Sequence, residues 1–252
     1  MGFYMDKGYV WLVGAGPGDA ALITVKGLDC IRQAQVLIHD RLVSTELLAE
    51  APADCLIINV GKNPDHHPVP QSQINTLLVK YARGGKRVVR LKGGDPYVFG
   101  RGGEEAEELA KAGLPFDVVP GISSAIGGLA YAGIPVTHRD YASAFHIVTG
   151  HQCDGNEPQD WRALANVPGT LVVLMGMTRL HEICRQLIEG GQAASTAAAV
   201  VMYASQPRQR VVTGTLATLH AEAERAGLHA PALIVIGEVV NLRALLARSS
   251  YE

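Results

Sequence analysis

The sequence has few cysteines, and none of them forms a recognisable paired motif. Its 252 residues include four cysteines, Cys30, Cys55, Cys153 and Cys184, which are widely separated along the chain. This spacing argues against a disulfide framework and against a cysteine-based zinc site. We therefore expect reduced thiols in a cytoplasmic protein.

The sequence also lacks a large excess of charge and a long apolar helix. With 22 basic and 24 acidic residues, the formal net charge is -2, so there is no overall attraction to nucleic acid or to an anionic membrane. The uncharged stretch 118–137 is interrupted by glycine and proline, which predicts a loop and a buried helix rather than a membrane span. The first ten residues contain no long apolar segment of the kind that directs export. We expect no nucleic-acid partner and no membrane association.

Histidine spacing gives no indication of a metal site. His66 and His67 are adjacent, and His138, His146 and His151 follow much later in the chain. These intervals match no zinc pattern, and no cysteine pair lies nearby. We expect no metal.

What the sequence does contain is an alternation of short apolar runs with helical patterns. Strands are predicted at Val10–Val13, Val36–His39, Leu56–Val60, Arg87–Leu91, Asp117–Val119, Ala144–Thr149, Thr170–Met175, Ala197–Met202, Val211–Thr215 and Ala232–Gly237. Helices are predicted at Leu22–Ala34, Thr45–Ala49, Ser72–Arg83, Glu104–Ala112, Ile126–Ala132, Arg179–Glu189 and Leu216–Ala226. This alternation predicts α/β architecture with parallel strands and crossover helices. It is interrupted at the segment GIPVTHRDYAS, so we predict two α/β domains, residues 1–140 and 141–252.

The turn after the first strand resembles a nucleotide fingerprint but departs from it. Gly14, Gly16 and Gly18 give G-x-G-x-G, whereas a dinucleotide fingerprint needs glycine where this chain has Asp19. Pro17 removes a backbone N–H that a phosphate would use. The Asp19 carboxylate would itself cap the following helix. The loop therefore predicts close backbone approach to a flat or cationic ligand, with a tight structural turn as the alternative.

The second glycine-rich loop, residues 92–103, follows the fourth strand. Such a loop at the end of a strand is typical of ligand binding. Gly93 and Gly94 let the backbone approach a ligand, Asp95 and Pro96 form a turn, and the Arg101 guanidinium, which stands among glycines, is expected to reach a binding partner. Four glutamates follow, at positions 104, 105, 107 and 108, and most of them are interpreted as negative charges in the first turns of a helix.

Asp40 ends the second predicted strand, beside Arg41. Ligands of open α/β sheets collect at this end of the parallel strands, so Asp40 is a candidate site residue. A surface ion pair or a helix cap is the alternative interpretation.

Eight segments of the chain carry a family resemblance. In order they are VGAGPGD, DRLVS, VGK, RLKGGDPYVFGRGGEE, VVPGISSA, GIPVTHRD, VTGH and LVVLMGM. Together they resemble the tetrapyrrole methylases, which use S-adenosylmethionine, and within that family the uroporphyrinogen-III C-methyltransferases. The resemblance extends from about Val10 to Leu242. The first segment is shared across the whole family, whereas DRLVS, KGGDPYVFGRGGEE and PVTHRD are more specific.

The resemblance implies a fold, an assembly and a reaction. The fold has an N-terminal domain with a mostly parallel sheet, a C-terminal domain with a mixed sheet, and an active site in the cleft between them. The assembly is a homodimer. The reaction is two successive methylations of uroporphyrinogen III, on rings A and B, which give precorrin-2 and S-adenosylhomocysteine.

The resemblance also implies roles for individual residues. S-adenosylmethionine would be bound by Pro17, Gly93, Gly94, Asp95, Val98, Ser123, Ser124, Met175, Ala204, Pro231 and Ala232. Arg101 and Arg139 would meet the carboxylates of the substrate, since guanidinium groups pair well with carboxylates. Glu104 would also lie in the substrate pocket. Asp40 would accept a proton and Lys62 would donate one, with Arg101 as a rival for the acid–base or orienting role.

Some positions depart from the family pattern and leave alternatives open. His39 stands where tyrosine is common, and Ala204 stands where glycine is frequent. Asn63 replaces a frequent arginine and so removes one positive charge from the substrate side. One alternative is a methyltransferase that acts on a later precorrin. Another is an RNA methyltransferase, which should show a basic stripe that the net charge of -2 does not suggest.

Overall fold

The computed structural model describes residues 8–61, 69–151 and 159–247. The chain forms two compact units, Met1–Ser123 and Ser124–Glu252. The division lies earlier than the predicted boundary near residue 140. The reason is that helix α5 (Ser124–Tyr131) buries Ala125 and Leu129 in a core cluster of the second unit.

The first unit contains a five-stranded sheet. Its strands are β1 (Tyr9–Gly14), β2 (Val36–His39), β3 (Leu56–Asn59), β4 (Arg87–Lys92) and β5 (Phe116–Val119). The order across the sheet is β3-β2-β4-β1-β5, and every neighbouring pair is parallel. The helices are α1 (Val25–Arg32), α2 (Thr45–Ala49), α3 (Gln71–Arg83) and α4 (Gly102–Lys111), with a 3₁₀ turn at Ala20–Leu22. The predicted parallel sheet is confirmed.

Both faces of this sheet are covered, as parallel sheets require. Side chains alternate along β4, so that Val88 packs with residues of α3 and α4 while Val89 packs with residues of α1 and α2. The face toward α3 and α4 is also the face to which Arg90 and Lys92 belong by the same alternation. The carboxyl ends of the strands lie at one edge of the sheet, where the loops that carry the candidate residues begin.

The second unit contains a mixed sheet. Its strands are β6 (Phe145–Thr149), β7 (Thr170–Leu174), β8 (Ala197–Met202), β9 (Arg210–Thr215) and β10 (Ala232–Ile236). The order is β6-β7-β10-β8-β9, in which β6 and β7 are parallel and the other pairs are antiparallel. The other helices are α6 (Trp161–Leu164), α7 (Leu180–Glu189), α8 (Leu219–Arg225) and α9 (Arg243–Leu246), with 3₁₀ turns at Met177–Arg179 and Glu238–Leu242. This mixed sheet confirms the fold that the resemblance implies.

The prediction of a single helix at Leu22–Ala34 was wrong at its start, because the structure has a 3₁₀ turn at Ala20–Leu22 and then begins α1 at Val25. Two capping residues lie close together here: Asp19 Oδ1 accepts a hydrogen bond from Ala21 N at 2.9 Å, and Thr24 Oγ1 accepts one from Gly27 N at 3.0 Å. Each cap begins its own helical segment, because it satisfies a backbone N–H that has no partner within the helix. The expected capping role of Asp19 is thereby confirmed.

No helix in the described part of the chain is both long enough and apolar enough to cross a membrane.

Candidate functional site

The turn after β1 and the turn after β4 pair with each other in the first unit. Gly94 N donates to Gly16 O at 2.8 Å, and Gly16 N donates to Gly94 O at 3.2 Å. Both glycines have a positive φ, +81° for Gly16 and +69° for Gly94, a conformation that side chains disfavour. The two glycine-rich loops that the sequence singled out are therefore one structural feature.

A third loop, which follows β5, approaches the two glycine-rich loops closely at Gly121. A Cβ atom on Gly121 would lie 2.3 Å from Gly94 O and 2.7 Å from Gly14 Cα. A Cβ atom on Gly14 would lie 2.5 Å from Gly121 Cα. The backbones at the ends of three adjacent strands thus meet at distances that only glycine allows.

Asp95 ties the second loop to the third. Its Oδ1 accepts a hydrogen bond from Tyr97 N at 2.8 Å, and its Oδ2 accepts one from Gly121 N at 3.0 Å. Each carboxylate oxygen has a further lone pair for a ligand. Asp95 is therefore both a structural link and a candidate acceptor.

The backbone beside Asp95 borders space that the described residues do not fill. Among them, a Cβ atom on Gly93 would meet only Leu42 Cβ, at 3.8 Å, and one on Gly94 would meet only Ser123 Cα, at 3.8 Å. Ser123 is buried, whereas Pro17 and Val98 are half-buried. The first unit thus places the predicted cofactor residues Pro17, Gly93, Gly94, Asp95, Val98 and Ser123 on loops at one edge of its sheet, with room for a ligand at the glycines.

Four charged side chains form a network at the ends of β2 and β4. Arg90 Nη2 donates to Asp40 Oδ1 at 2.5 Å, and Arg90 Nε donates to Glu105 Oε1 at 3.0 Å. Lys92 Nζ donates to the same Glu105 oxygen at 2.9 Å, and Gln71 Nε2 does so at 3.1 Å. Arg90 and Lys92 are each 2% exposed and Glu105 is fully buried, whereas the Asp40 side chain is 34% exposed. Asp40 is thus the end of this network that solvent can reach.

The network shifts the pKa values of its basic members in opposite directions. Burial lowers the pKa of the Lys92 ammonium, and the neighbouring Arg90 guanidinium lowers it further, while Glu105 acts against both. For Arg90, burial alone would lower the pKa, but attraction to Asp40 and Glu105 raises it above its ordinary value. Arg90 therefore remains a cation, and its two carboxylate partners balance that buried charge.

Arg101 and Glu104, both predicted to meet substrate, bond to each other. Arg101 Nε donates to Glu104 Oε1 at 2.8 Å and Arg101 Nη2 donates to Glu104 Oε2 at 2.7 Å. The hydrogen bond from Arg101 holds the pKa of Glu104 below its usual range. The two side chains are 56% and 52% exposed, so the pair lies where a charged ligand can approach it.

Four of the predicted cofactor residues of the second unit lie on or just beyond the ends of three neighbouring strands, β7, β10 and β8. Tyr203 N donates to Pro231 O at 3.1 Å, which brings Ala204 close to Pro231, and Ala232 pairs with Met202 across β10 and β8. Met175 ends β7 with a positive φ of +56° and is 50% exposed. Such a φ in a non-glycine residue is uncommon and marks strained positions, which are frequent at functional sites.

The remaining predicted residues are placed as follows. Arg139 is exposed in the turn that His138 and Ala142 close with two backbone hydrogen bonds of 2.9 Å. Ser124 is the first residue of α5. Lys62 and Asn63 lie outside the described residues. Within residues 8–61, 69–151 and 159–247, no three histidine, cysteine or acidic side chains are grouped in a way that could hold a metal ion.

Sequence reasoning missed Arg90, Lys92 and Glu105 as members of the site. It interpreted most of the glutamates after the second loop as negative charges in the first turns of a helix. Glu105 does lie in the first turn of α4, but its side chain is fully buried and takes part in the charged network. One signal was available. Arg90 and Lys92 stand two residues apart on either side of the apolar Leu91, and residues with that spacing share one face of a sheet.

Three comparisons relate the chain to known proteins. A family model described as Tetrapyrrole (Corrin/Porphyrin) Methylases matches residues 9–220. Siroheme synthase from Methylobacillus flagellatus is 52% identical over 243 residues, which make up 96% of this chain and 52% of that relative. The chain therefore spans about half the length of the curated relatives it matches.

Solved structures resemble the chain over nearly its whole length. Uroporphyrin-III C-methyl transferase from Thermus thermophilus, complexed with S-adenyl homocysteine, is 40% identical with a TM-score of 0.80, covering 93% of this chain and 94% of that one. A cobalt precorrin-4 methyltransferase is 27% identical with a TM-score of 0.82, covering 92% of this chain and 95% of that one.

Proposed function

The chain belongs to the tetrapyrrole methylase family, and from this we propose that it methylates uroporphyrinogen III. It would transfer methyl groups from S-adenosylmethionine to two pyrrole-ring carbons, on rings A and B, giving precorrin-2 and S-adenosylhomocysteine. The observation that carries this proposal is the 40% identity, over nearly the whole chain, to a uroporphyrin-III C-methyl transferase complexed with S-adenyl homocysteine. The 52% identity to one half of a siroheme synthase supports it. The proposal concerns methylation alone.

The glycine-rich loops fit S-adenosylmethionine better than a dinucleotide. The Asp19 carboxylate bonds to Ala21 N at the helix start, where a phosphate would otherwise sit. Gly93 and Gly94 border space that is unfilled by the residues the structure describes, and Asp95 offers carboxylate oxygens beside these glycines. When bound, the cofactor supplies a methyl group on a positively charged sulfur, so it needs acceptors rather than an anion site.

We assign the cofactor role to residues of both units. In the first unit they are Pro17, Gly93, Gly94, Asp95, Val98 and Ser123. In the second unit they are Ser124, Met175, Ala204, Pro231 and Ala232. Support for the second set comes from the family and from the strained backbone at Met175.

Arg101 and Arg139 are proposed to bind the carboxylates of the substrate, and Glu104 is proposed to line the same substrate pocket. An exposed ion pair contributes only about 0–1 kcal/mol, so a substrate carboxylate can replace Glu104 on the Arg101 guanidinium at little cost. Until then, Glu104 holds the guanidinium in a fixed orientation through two hydrogen bonds. This exchange would provide local positive charge on a protein whose net charge is -2.

The chemical step requires positioning and the loss of one proton from the macrocycle. Positioning of the reacting atoms contributes a large part of the rate in such displacements. Asp40 is proposed to accept the proton, since its carboxylate is partly exposed at the carboxyl edge of the sheet. Lys62 is proposed as the donor, with Arg101 as the alternative acid–base or orienting group.

We further propose that the protein is a cytoplasmic homodimer. Family membership supports the dimer, and the scattered cysteines support a reducing compartment. Light scattering on the purified protein measures the mass of the assembly, and a monomer at micromolar concentration would contradict the proposal.

The function is tested by anaerobic incubation of the purified protein with uroporphyrinogen III and S-adenosylmethionine. We expect mass spectrometry to show a gain of two methyl groups. After the sample is exposed to air, which supplies the oxidant, absorbance should show oxidation of the product to sirohydrochlorin. Binding of S-adenosylmethionine without methylation of this substrate would favour a later precorrin, and the precorrin-4 methyltransferase likeness makes that the next substrate class to assay. Absence of S-adenosylmethionine binding in calorimetry would refute the methyltransferase proposal.

Asp95→Ala with Asp117→Ala as its control tests the assigned cofactor site. Asp95→Ala removes the acceptor for Gly121 N, so we expect weaker S-adenosylmethionine binding in calorimetry. Asp117 lies on β5 and pairs with Lys26 at 3.5 Å on the surface, so Asp117→Ala should bind the cofactor like the wild type. Equal affinities for all three proteins would remove Asp95 from the site.

A further inference from the structure

Arg90 connects a candidate catalytic carboxylate to the interior of the first unit. One edge of its guanidinium bonds to Asp40 on the β2 side, and Nε bonds to Glu105 on α4. Its Nη1 also lies 3.4 Å from Ile38 O and Leu91 O. The guanidinium is therefore held on several sides, and Asp40 receives a donor whose position is fixed by β4 and α4.

The order of residues along the strands produces this contact. β2 and β4 are adjacent and parallel, with His39 beside Leu91. Asp40 follows His39, and its backbone N–H donates to Leu91 O at 3.3 Å. Alternation then directs Asp40 and Arg90 to the same face, where α4 supplies Glu105.

Stability alone does not explain why this network is buried. A buried ion pair is in general no more stabilising than apolar side chains of similar volume. Glu105 Oε2 is also buried without a hydrogen-bond partner among the described residues, which is unfavourable for a charged group. The one member that reaches solvent is Asp40.

We propose that Arg90 and Glu105 are positioning residues that hold the Asp40 carboxylate in its reactive orientation. This inference rests on the proposed function, in which Asp40 accepts a proton from the substrate. Glu105 fixes Arg90, and Arg90 fixes Asp40. Because Glu105 lies in the first turn of α4, directly after the second glycine-rich loop, the same segment that carries Gly93 and Gly94 also sets the position of Asp40.

The test is a double-mutant cycle between Arg90 and Asp40, using Arg90→Lys and Asp40→Asn. Lysine keeps the charge but lacks the planar fork that reaches Asp40 and Glu105 together. A misplacement of about 1 Å costs on the order of 10²-fold in rate, so we expect a loss of that size in kcat for Arg90→Lys. S-adenosylmethionine affinity should stay unchanged in calorimetry. In the Asp40→Asn background, Arg90→Lys should cause no further loss, because residues acting through one another are not additive.

Arg32 and Glu50 provide the matched control. They form an exposed pair in the same unit, with Arg32 Nη2 2.8 Å from Glu50 Oε2. We expect Arg32→Lys and Glu50→Gln to leave kcat and cofactor affinity at wild-type values. Glu105→Gln, which keeps an oxygen acceptor for Arg90, is the second test variant and should lower kcat less than Arg90→Lys does.

Several results would overturn the positioning role. Independent, multiplicative losses in the cycle would show that Arg90 does not act through Asp40, and so would a parallel loss of cofactor affinity. If Arg90→Lys does not fold, Glu105→Gln in the same cycle decides the question. If the wild type fails to methylate uroporphyrinogen III, the proposed function has failed instead. NMR of the ¹³C-labelled Asp40 carboxyl then tests the contact by itself, since the chemical shift of that carboxyl must differ between wild type and Arg90→Lys.

Discussion

Replacing Gly121 by alanine tests the contact between the three loops at the carboxyl edge of the first sheet. The added Cβ atom would lie 2.3 Å from Gly94 O and 2.7 Å from the Gly14 Cα and carbonyl carbon. All three are backbone atoms, so no side chain can rotate away. The loops must separate, and the Asp95 bond to Gly121 N must lengthen.

The expected cost is at the upper end of the range for overpacking, about 3 kcal/mol. With a urea dependence of about 2 kcal/mol/M, the unfolding midpoint should fall by roughly 1.5 M. The chain has two tryptophans, so a Trp161→Phe background leaves Trp11 on β1 to report on the first unit. S-adenosylmethionine binding should weaken in the same variant.

Gly103→Ala is the control for Gly121→Ala. Gly103 lies in α4, and a Cβ atom there would meet no described residue within 4 Å. Alanine in a helix is more favourable than glycine by roughly 0.5–1 kcal/mol, so this variant should be slightly more stable than the reference. If Gly121→Ala unfolds at the midpoint of the reference protein, the close approach of the three loops is refuted.

Two further predictions concern titratable groups. Burial raises the pKa of the Cys30 and Cys184 thiols to about 11. Both thiols should therefore resist thiol reagents at about pH 8 until the protein unfolds. Rapid labelling of either cysteine in the native protein, mapped by mass spectrometry, would contradict this expectation. The hydrogen bond from Arg101 lowers the pKa of Glu104 in the folded protein below its ordinary value of 4.5. The pair therefore stabilises the folded protein fully above about pH 4.5, and this stabilisation is lost as the pH falls through the pKa of Glu104 in the folded state. Urea midpoints between about pH 3 and pH 6 should therefore fall less in Glu104→Gln than in the wild type, and identical acid dependence in both proteins would be evidence against the pairing.

The strands could be predicted from the sequence because burial of a strand requires a recognisable pattern of apolar residues. Strands buried on both faces need continuous apolar runs, and glycine or polar residues mark where each run ends. All ten predicted strands are present within a few residues. Helix starts were harder, as at α1, because Asp19 and Thr24 are both good caps and the pattern does not show that each begins a separate segment.

The boundary of the first unit illustrates a different limit. The sequence near residue 140 is rich in glycine, proline and polar residues, which is typical of a linker. The compact units nevertheless divide at Ser123 and Ser124. A helix belongs to the unit against which its apolar face packs. The apolar face of α5 packs in a cluster with Val172 and Val235 of the second sheet.

By itself, the sequence determined the α/β class, the two glycine-rich loops, the capping role of Asp19 and the candidate at Asp40. These depend on local chemistry, such as a missing side chain, a capping carboxylate or a run of buried residues. Only the tertiary structure decided which residues meet. Glu104 and Glu105 are neighbours in sequence, yet one turns to solvent with Arg101 and the other is buried against Arg90. Successive residues of a helix point about 100° apart, and only packing against β4 selects the one that faces inward.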